Sequence, residues 1–145
     1  MHFTFRAVML AAGAAATLLP SAAAQAQTAA PAGATVYFIN LKDQDTVTSP
    51  FKVQFGLTGM GVAPAGVEKD RTGHHHLLID TDAPADMNAP LPATDKIVHF
   101  GKGQTETTLT LPPGKHTLQL LLADLKHVPH EPPVISKKIT ITVAP

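Results

Sequence analysis

The 145-residue chain contains no cysteine and no tryptophan. Without cysteine there is no disulfide framework, no thiolate nucleophile, no Cys-ligated zinc or iron–sulfur cluster, and no blue-copper centre of the thiolate type. Charge of either sign is scarce and balanced, 11 Lys and Arg against 11 Asp and Glu, with no basic run. That balance argues against nucleic acid and anionic membranes as partners. Also missing are a Ser-His-Asp order, a paired-carboxylate motif and a phosphate loop, which leaves hydrolase and transferase chemistry unsupported. Helical periodicity is lacking after the first two dozen residues, and there are no internal repeats.

One apolar run exists, and it lies at the start. Residues 7–19 are uncharged and follow Arg6; Pro20 breaks the run, and Ala24-Gln25-Ala26 follows. This run is too short to span a bilayer comfortably. It has the layout of a secretory signal peptide over residues 1–26, cleaved near Ala26. A flexible Ala/Pro lead over 27–34 and a single domain over 35–145 are expected to follow. The product should be periplasmic or secreted, with no membrane attachment once the leader is removed.

What remains reads as short strands. Thr35–Leu41 is β-branched and aromatic. Phe51, Val53, Phe55 and Leu57 alternate with polar residues, as do Leu118, Leu120 and Leu122, and Ile139, Ile141 and Val143. Short strands are also expected at 47–49, 74–80, 97–100 and 104–111, with loops at 58–73, 81–96 and 125–133. Such spacing, punctuated by Gly and Pro, predicts an all-β, immunoglobulin-like antiparallel β-sandwich of about seven strands. The lack of a Cys–Trp–Cys pattern excludes a true antibody-type domain.

Histidine is the abundance to explain: eight in the chain, of which His2 lies in the leader. Three are consecutive, His74-His75-His76, and run into Leu77-Leu78-Ile79. In a strand, His74 and His76 share one face about 7 Å apart, while His75 points the other way with Leu77 and Ile79. In a sandwich this strand neighbours 116–123 antiparallel, so its start lies beside the end of the other. One pole would then gather His74, His76, His127, His130 and Met60, with Asp124 or Glu131 as acceptors orienting an imidazole. Neutral imidazoles suit copper, zinc and nickel, and a thioether favours Cu(I). His75, His99 and His116 are the lesser candidates as ligands: His75 reads more simply as packed or hydrogen-bonded, His99 fits either role with the structural one ahead, and His116 reads as a strand-start residue at the opposite pole near Asp80. Ligation by imidazole predicts that affinity falls as pH drops through about 6.5.

Several segments are similar to a family of small exported bacterial proteins. They are Val36–Ile39, Ser49–Val53, Gly56–Gly66, Thr72–Asp80, His99–Gly101, Gly103–Glu106, Leu111–Leu120 and His127–His130. That family is catalogued as a domain of unknown function, number 4399. The resemblance implies a periplasmic single-domain protein and carries over no catalytic residue.

Three functions fit these features. The first is a periplasmic metal-binding protein, most simply for copper with zinc as the alternative, in storage, delivery or tolerance, working with a periplasmic protein partner. A second is a non-metal binding or structural module contacting a protein or glycan of the envelope. The third is a copper redox enzyme. No feature demands turnover, so the non-enzymatic readings come first.

Overall fold

A computed structural model describes residues 26–145. The expected leader therefore lies outside the described residues, Ala26 excepted. Among the described residues there are nine strands and no helix: β1 (Thr35–Phe38), β2 (Thr46–Val47), β3 (Phe51–Thr58), β4 (Gly61–Val62), β5 (Thr72–Ile79), β6 (Ile97–His99), β7 (Glu106–Leu109), β8 (Gly114–Ala123) and β9 (Ile139–Val143). They form two sheets. The smaller has the order β1-β3-β7; the larger runs β2-β9-β8-β5-β4, with β6 also paired to β5. The pairings are antiparallel except β2–β9 and β4–β5, which are parallel. This is an all-β sandwich, as the alternation predicts. β2 falls on the short strand expected at 47–49, and the strand that was not expected is the two-residue β4, inside the expected loop 58–73.

Period-two patterning explains the layering. In β3, Phe51, Val53 and Phe55 are buried while Lys52 is exposed. In β9, Ile139, Ile141 and Val143 are buried. These residues, with Leu77 and Ile79 of β5 and Leu118, Leu120 and Leu122 of β8, form the main core between the sheets. β5, and β8 from Leu120 to Ala123, are buried on both faces. Their outward residues Leu78, Leu121 and Ala123 join Leu91 and Ile97 in a second, smaller core. Residues 81–96 are a loop, as their Pro/Asp-rich composition predicts. Leu91, Met87 and Ala83 fasten it over the outer face of the large sheet. Each fully buried aliphatic side chain there contributes roughly 1.5–3 kcal/mol.

Residues 27–31, expected as the start of a flexible lead, are tied down. The Ala30 N–H donates to Glu131 O at 2.9 Å, and the Glu131 N–H donates to Thr28 O at 3.0 Å. The pairing partner lies a hundred residues on, so composition alone gave no sign of it.

Candidate metal centre

β5 and β8 are antiparallel neighbours, with His74 opposite Ala123 and His76 opposite Leu121. The start of one strand thus lies beside the end of the other. Alternation along β5 sends His74 and His76 to the outward face, with Leu78 and the smaller core. His75 goes inward, with Leu77 and Ile79. On its other edge β5 pairs with β6, and His76 lies directly across from His99. The chain leaving β8 then turns back and brings His127 over the same spot.

Four imidazoles converge there. One ring nitrogen from each of His74, His76, His99 and His127 lies within 4.8 Å of every other. Ring centroids are 4.9 Å apart for His74–His76 and for His74–His99, 5.0 Å for His74–His127 and 4.6 Å for His99–His127. His74 Nε2 sits 3.1 Å from His127 Nδ1. An imidazole nitrogen binds a zinc-sized ion at about 2.0–2.1 Å, so donors on opposite sides of an ion lie about 4 Å apart. Side-chain adjustments of under about 1 Å would bring the four nitrogens to that separation, so the donor set fits a first-row transition metal. His74 and His76 are the buried floor, at 0% and 1% exposure. His99 and His127 form the rim that solvent reaches.

The electrostatics favour ligand-ready rings. Burial, with His127 and His99 close by, lowers the pKa of His74 to about 4. Burial, with His74, His99 and His127 around it, lowers His76 to about 3. His99 is lowered by burial and by His127. Near neutral pH His74 and His76 are therefore neutral rings. For His74 and His76, proton competition sets in well below the 6.5 that ordinary imidazoles imply. The group contains four histidines and no carboxylate. Buried ring nitrogens normally have partners, yet Nδ1 of His74 and Nδ1 of His76 have none within the protein.

His127 is the member of the cluster that no strand carries, and Asp124 shapes its turn. One carboxylate oxygen, Asp124 Oδ1, accepts the N–H groups of Lys126 at 2.9 Å and Val128 at 3.0 Å. The His127 N–H donates to Asp124 O at 3.0 Å, and the His127 carbonyl accepts from Leu91 N–H at 2.8 Å. His127 is held at φ 67°, a left-handed conformation that few side chains adopt without tertiary support.

Of the residues the sequence nominates, His74, His76 and His127 come together. His99, a lesser candidate in the sequence, joins them at the rim. His130 does not join. It is fully buried, its Nε2 lies 3.3 Å from Thr72 O, and its ring packs against Gly73. The bridge between Ala123 and Pro129 separates the paths of His127 and His130. Met60 packs against the main core, on the inward side of the sheet from the cluster. His75 packs on Phe55, with ring centroids 5.2 Å apart, and neither of its ring nitrogens has a partner. His116, at the far end of β8, bonds Asp80 Oδ2 through Nδ1 at 2.7 Å and Pro112 O through Nε2 at 2.8 Å. Asp124 orients a turn through backbone groups and not an imidazole. Glu131 contributes its backbone to the lead and makes no side-chain bond to a histidine among the described residues.

The stretch from Val53 to Ala144 carries the whole cluster, and it decides the affiliation. The chain belongs to the family of the domain of unknown function DUF4399, matched over residues 53–144. No curated protein and no solved structure matches it. In this DUF4399 domain, then, the chemistry must be read from the site itself.

Proposed function

We propose that this DUF4399 domain is an exported metal-binding protein that holds copper at His74, His76, His99 and His127, in storage, delivery or tolerance. The convergence of four imidazoles, one nitrogen from each within 4.8 Å of the rest, carries the reading. Nitrogen-only donor sets bind divalent first-row metals in an order that peaks at copper, and zinc is the competitor at a four-coordinate site. Lowered pKa values at His74 and His76 leave those two rings neutral across the working pH range, the form that ligates. The rim of His99 and His127, open to solvent, suits an ion that must enter and leave.

Titration of untagged protein with Cu(I), Cu(II) and Zn(II) tests this. One copper per chain is expected, bound more tightly than zinc. Binding should be abolished in His74→Ala/His76→Ala with the fold retained by circular dichroism. His130→Phe, at a position away from the cluster, should leave the stoichiometry unchanged. Weak binding indifferent to His74 and His76 would overturn the proposal and favour a partner-binding module. Export is tested separately, by fractionating cells and sequencing the mature N-terminus.

A further inference from the structure

Three of the four imidazoles sit on paired strands, and the fourth is held by a turn. That turn is gripped from a distance. Asp124 is 5% exposed. Its Oδ1 is occupied by the N–H groups that flank His127, and its Oδ2 accepts the hydroxyl of Thr28 at 2.8 Å. Beside Thr28, Gln27 Nε2 donates to Met87 O at 2.7 Å and Pro129 O at 3.0 Å. One side chain thus joins the N-terminal lead, the covering loop 81–96 and the loop after β8. The covering loop in turn holds the His127 carbonyl through Leu91 N–H. A polar cavity of about 200 Å³ opens alongside, lined in part by Thr28, Glu68, Asp124 and Lys126.

We propose that the N-terminal lead is a latch on the exchangeable ligand His127, with Thr28 as a positioning residue for the metal centre. The inference rests on the metal-binding reading above. Docked, the lead completes the hydrogen bonding of a buried carboxylate, and that carboxylate keeps His127 in its left-handed turn. Lifted, the lead leaves Oδ2 without its donor at the edge of a polar cavity where water can replace the hydroxyl. The turn then relaxes at its most strained residue, and the site falls from four donors to three. The lead thereby sets how long the ion stays, without touching it. Outer hydrogen-bond partners of metal sites are typically worth 10–100-fold in affinity. A Thr28 acting through one intermediate carboxylate should sit near the bottom of that range.

The test uses copper-loaded, untagged protein. Release of Cu(II) to excess chelator and the ligand-field spectrum are recorded for wild type, Thr28→Val, Thr28→Ser, His127→Ala and Thr28→Val/His127→Ala. Thr28→Val should release copper on the order of tenfold faster, with a spectrum shifted toward that of His127→Ala. Thr28→Ser, which keeps the hydroxyl, should restore the wild-type rate. The double variant should be no faster than His127→Ala, because both changes remove the same ligand. A wild-type rate and spectrum in Thr28→Val, or an effect that adds in full to that of His127→Ala, would overturn the latch while leaving the metal site standing. Failure of the wild type to bind copper would overturn the metal reading and the latch together.

Discussion

His75 is a polar residue where an apolar one would serve better, and its replacement by leucine should stabilise the metal-free protein. The ring is fully buried, packed at a tilt against Phe55, and both of its nitrogens lack partners. A buried polar group without a hydrogen bond costs about 1–3 kcal/mol relative to a well-packed apolar one. Leucine is close in volume and belongs with Leu77 on the same face of β5 and Leu122 across from it on β8. At pH 7 the gain should therefore be about 1–3 kcal/mol. Burial also holds the His75 pKa down to about 4, against 6.5 in an ordinary setting. The unfolded chain therefore takes up the proton first as pH falls. Stability is full above about 6.5 and declines toward pH 4. At pH 5 the loss through this residue is about 2 kcal/mol, from 1.36 kcal/mol per pH unit. His75→Leu abolishes that loss, so its advantage should widen to about 3–5 kcal/mol at pH 5. Urea unfolding at both pH values, with the m-value checked for constancy, measures it. A variant less stable than wild type at pH 7, or an advantage that does not grow at pH 5, would refute the reasoning. Either result would mean that the imidazole has a partner that the packing around Phe55 does not supply.

Two further outcomes follow from the ends of β5. His116 presents both ring nitrogens to acceptors, a requirement that only its charged form meets in full; the Asp80 carboxylate, against the opposing effect of burial, raises its pKa above 6.5. Burial alone would raise Asp80, but bonds from His116 and the Thr117 N–H bring its carboxyl below the ordinary value. Stabilisation through His116 is thus fully present below about 6.5 and lost as pH rises through its elevated value, whereas that through Asp80 is lost as pH falls through its depressed one. NMR titration should show His116 above the ordinary histidine range in wild type and back within it in Asp80→Asn; an unmoved His116 would refute the pairing. Gly73→Ala should lower stability by roughly 1–3 kcal/mol, because the added carbon would lie 2.7 Å from the backbone oxygen of Ala123 and 2.9 Å from the His130 ring. Thermal unfolding reads this as a drop of several degrees, and an unchanged midpoint would show that β5 has room at that position.

Period-two alternation made much of this legible. β3, β8 and β9 each bury one face against the main core, so their apolar positions recur at every second residue. The same rule separates His74 and His76 from His75 without further information. The adjacency of β5 and β8 could also be anticipated, because sandwich topology makes such strands antiparallel neighbours. His99 was harder to place. β6 has three residues, and nothing within Ile97-Val98-His99 says that it lies across from His76; that pairing is non-local. His127 and His130 share one loop, which places both at the same pole, yet only His127 reaches the cluster. A backbone bridge at Pro129 separates them all the same. Asp124 read as an acceptor for a ring, yet its position two and four residues before Lys126 and Val128 is that of a side chain closing a turn on its own backbone. The docking of Thr28 against Asp124 spans 96 residues, and no local pattern encodes it.

Gly73 has one more consequence, for register. Three identical residues in a row, followed by three aliphatic ones, make β5 nearly degenerate toward a slip of one position. Shifted by one, the strand would still present two faces rich in leucine and histidine, but His75 would face the smaller core and His74 and His76 would enter the main one. The apolar pattern discriminates weakly between the two alignments, because both faces of this strand are buried. The one position in this strand that tolerates no side chain does discriminate: a slip would drive His74 in one direction, or Thr72 in the other, into the oxygen of Ala123. A glycine that binds nothing therefore determines which histidines are available for chemistry.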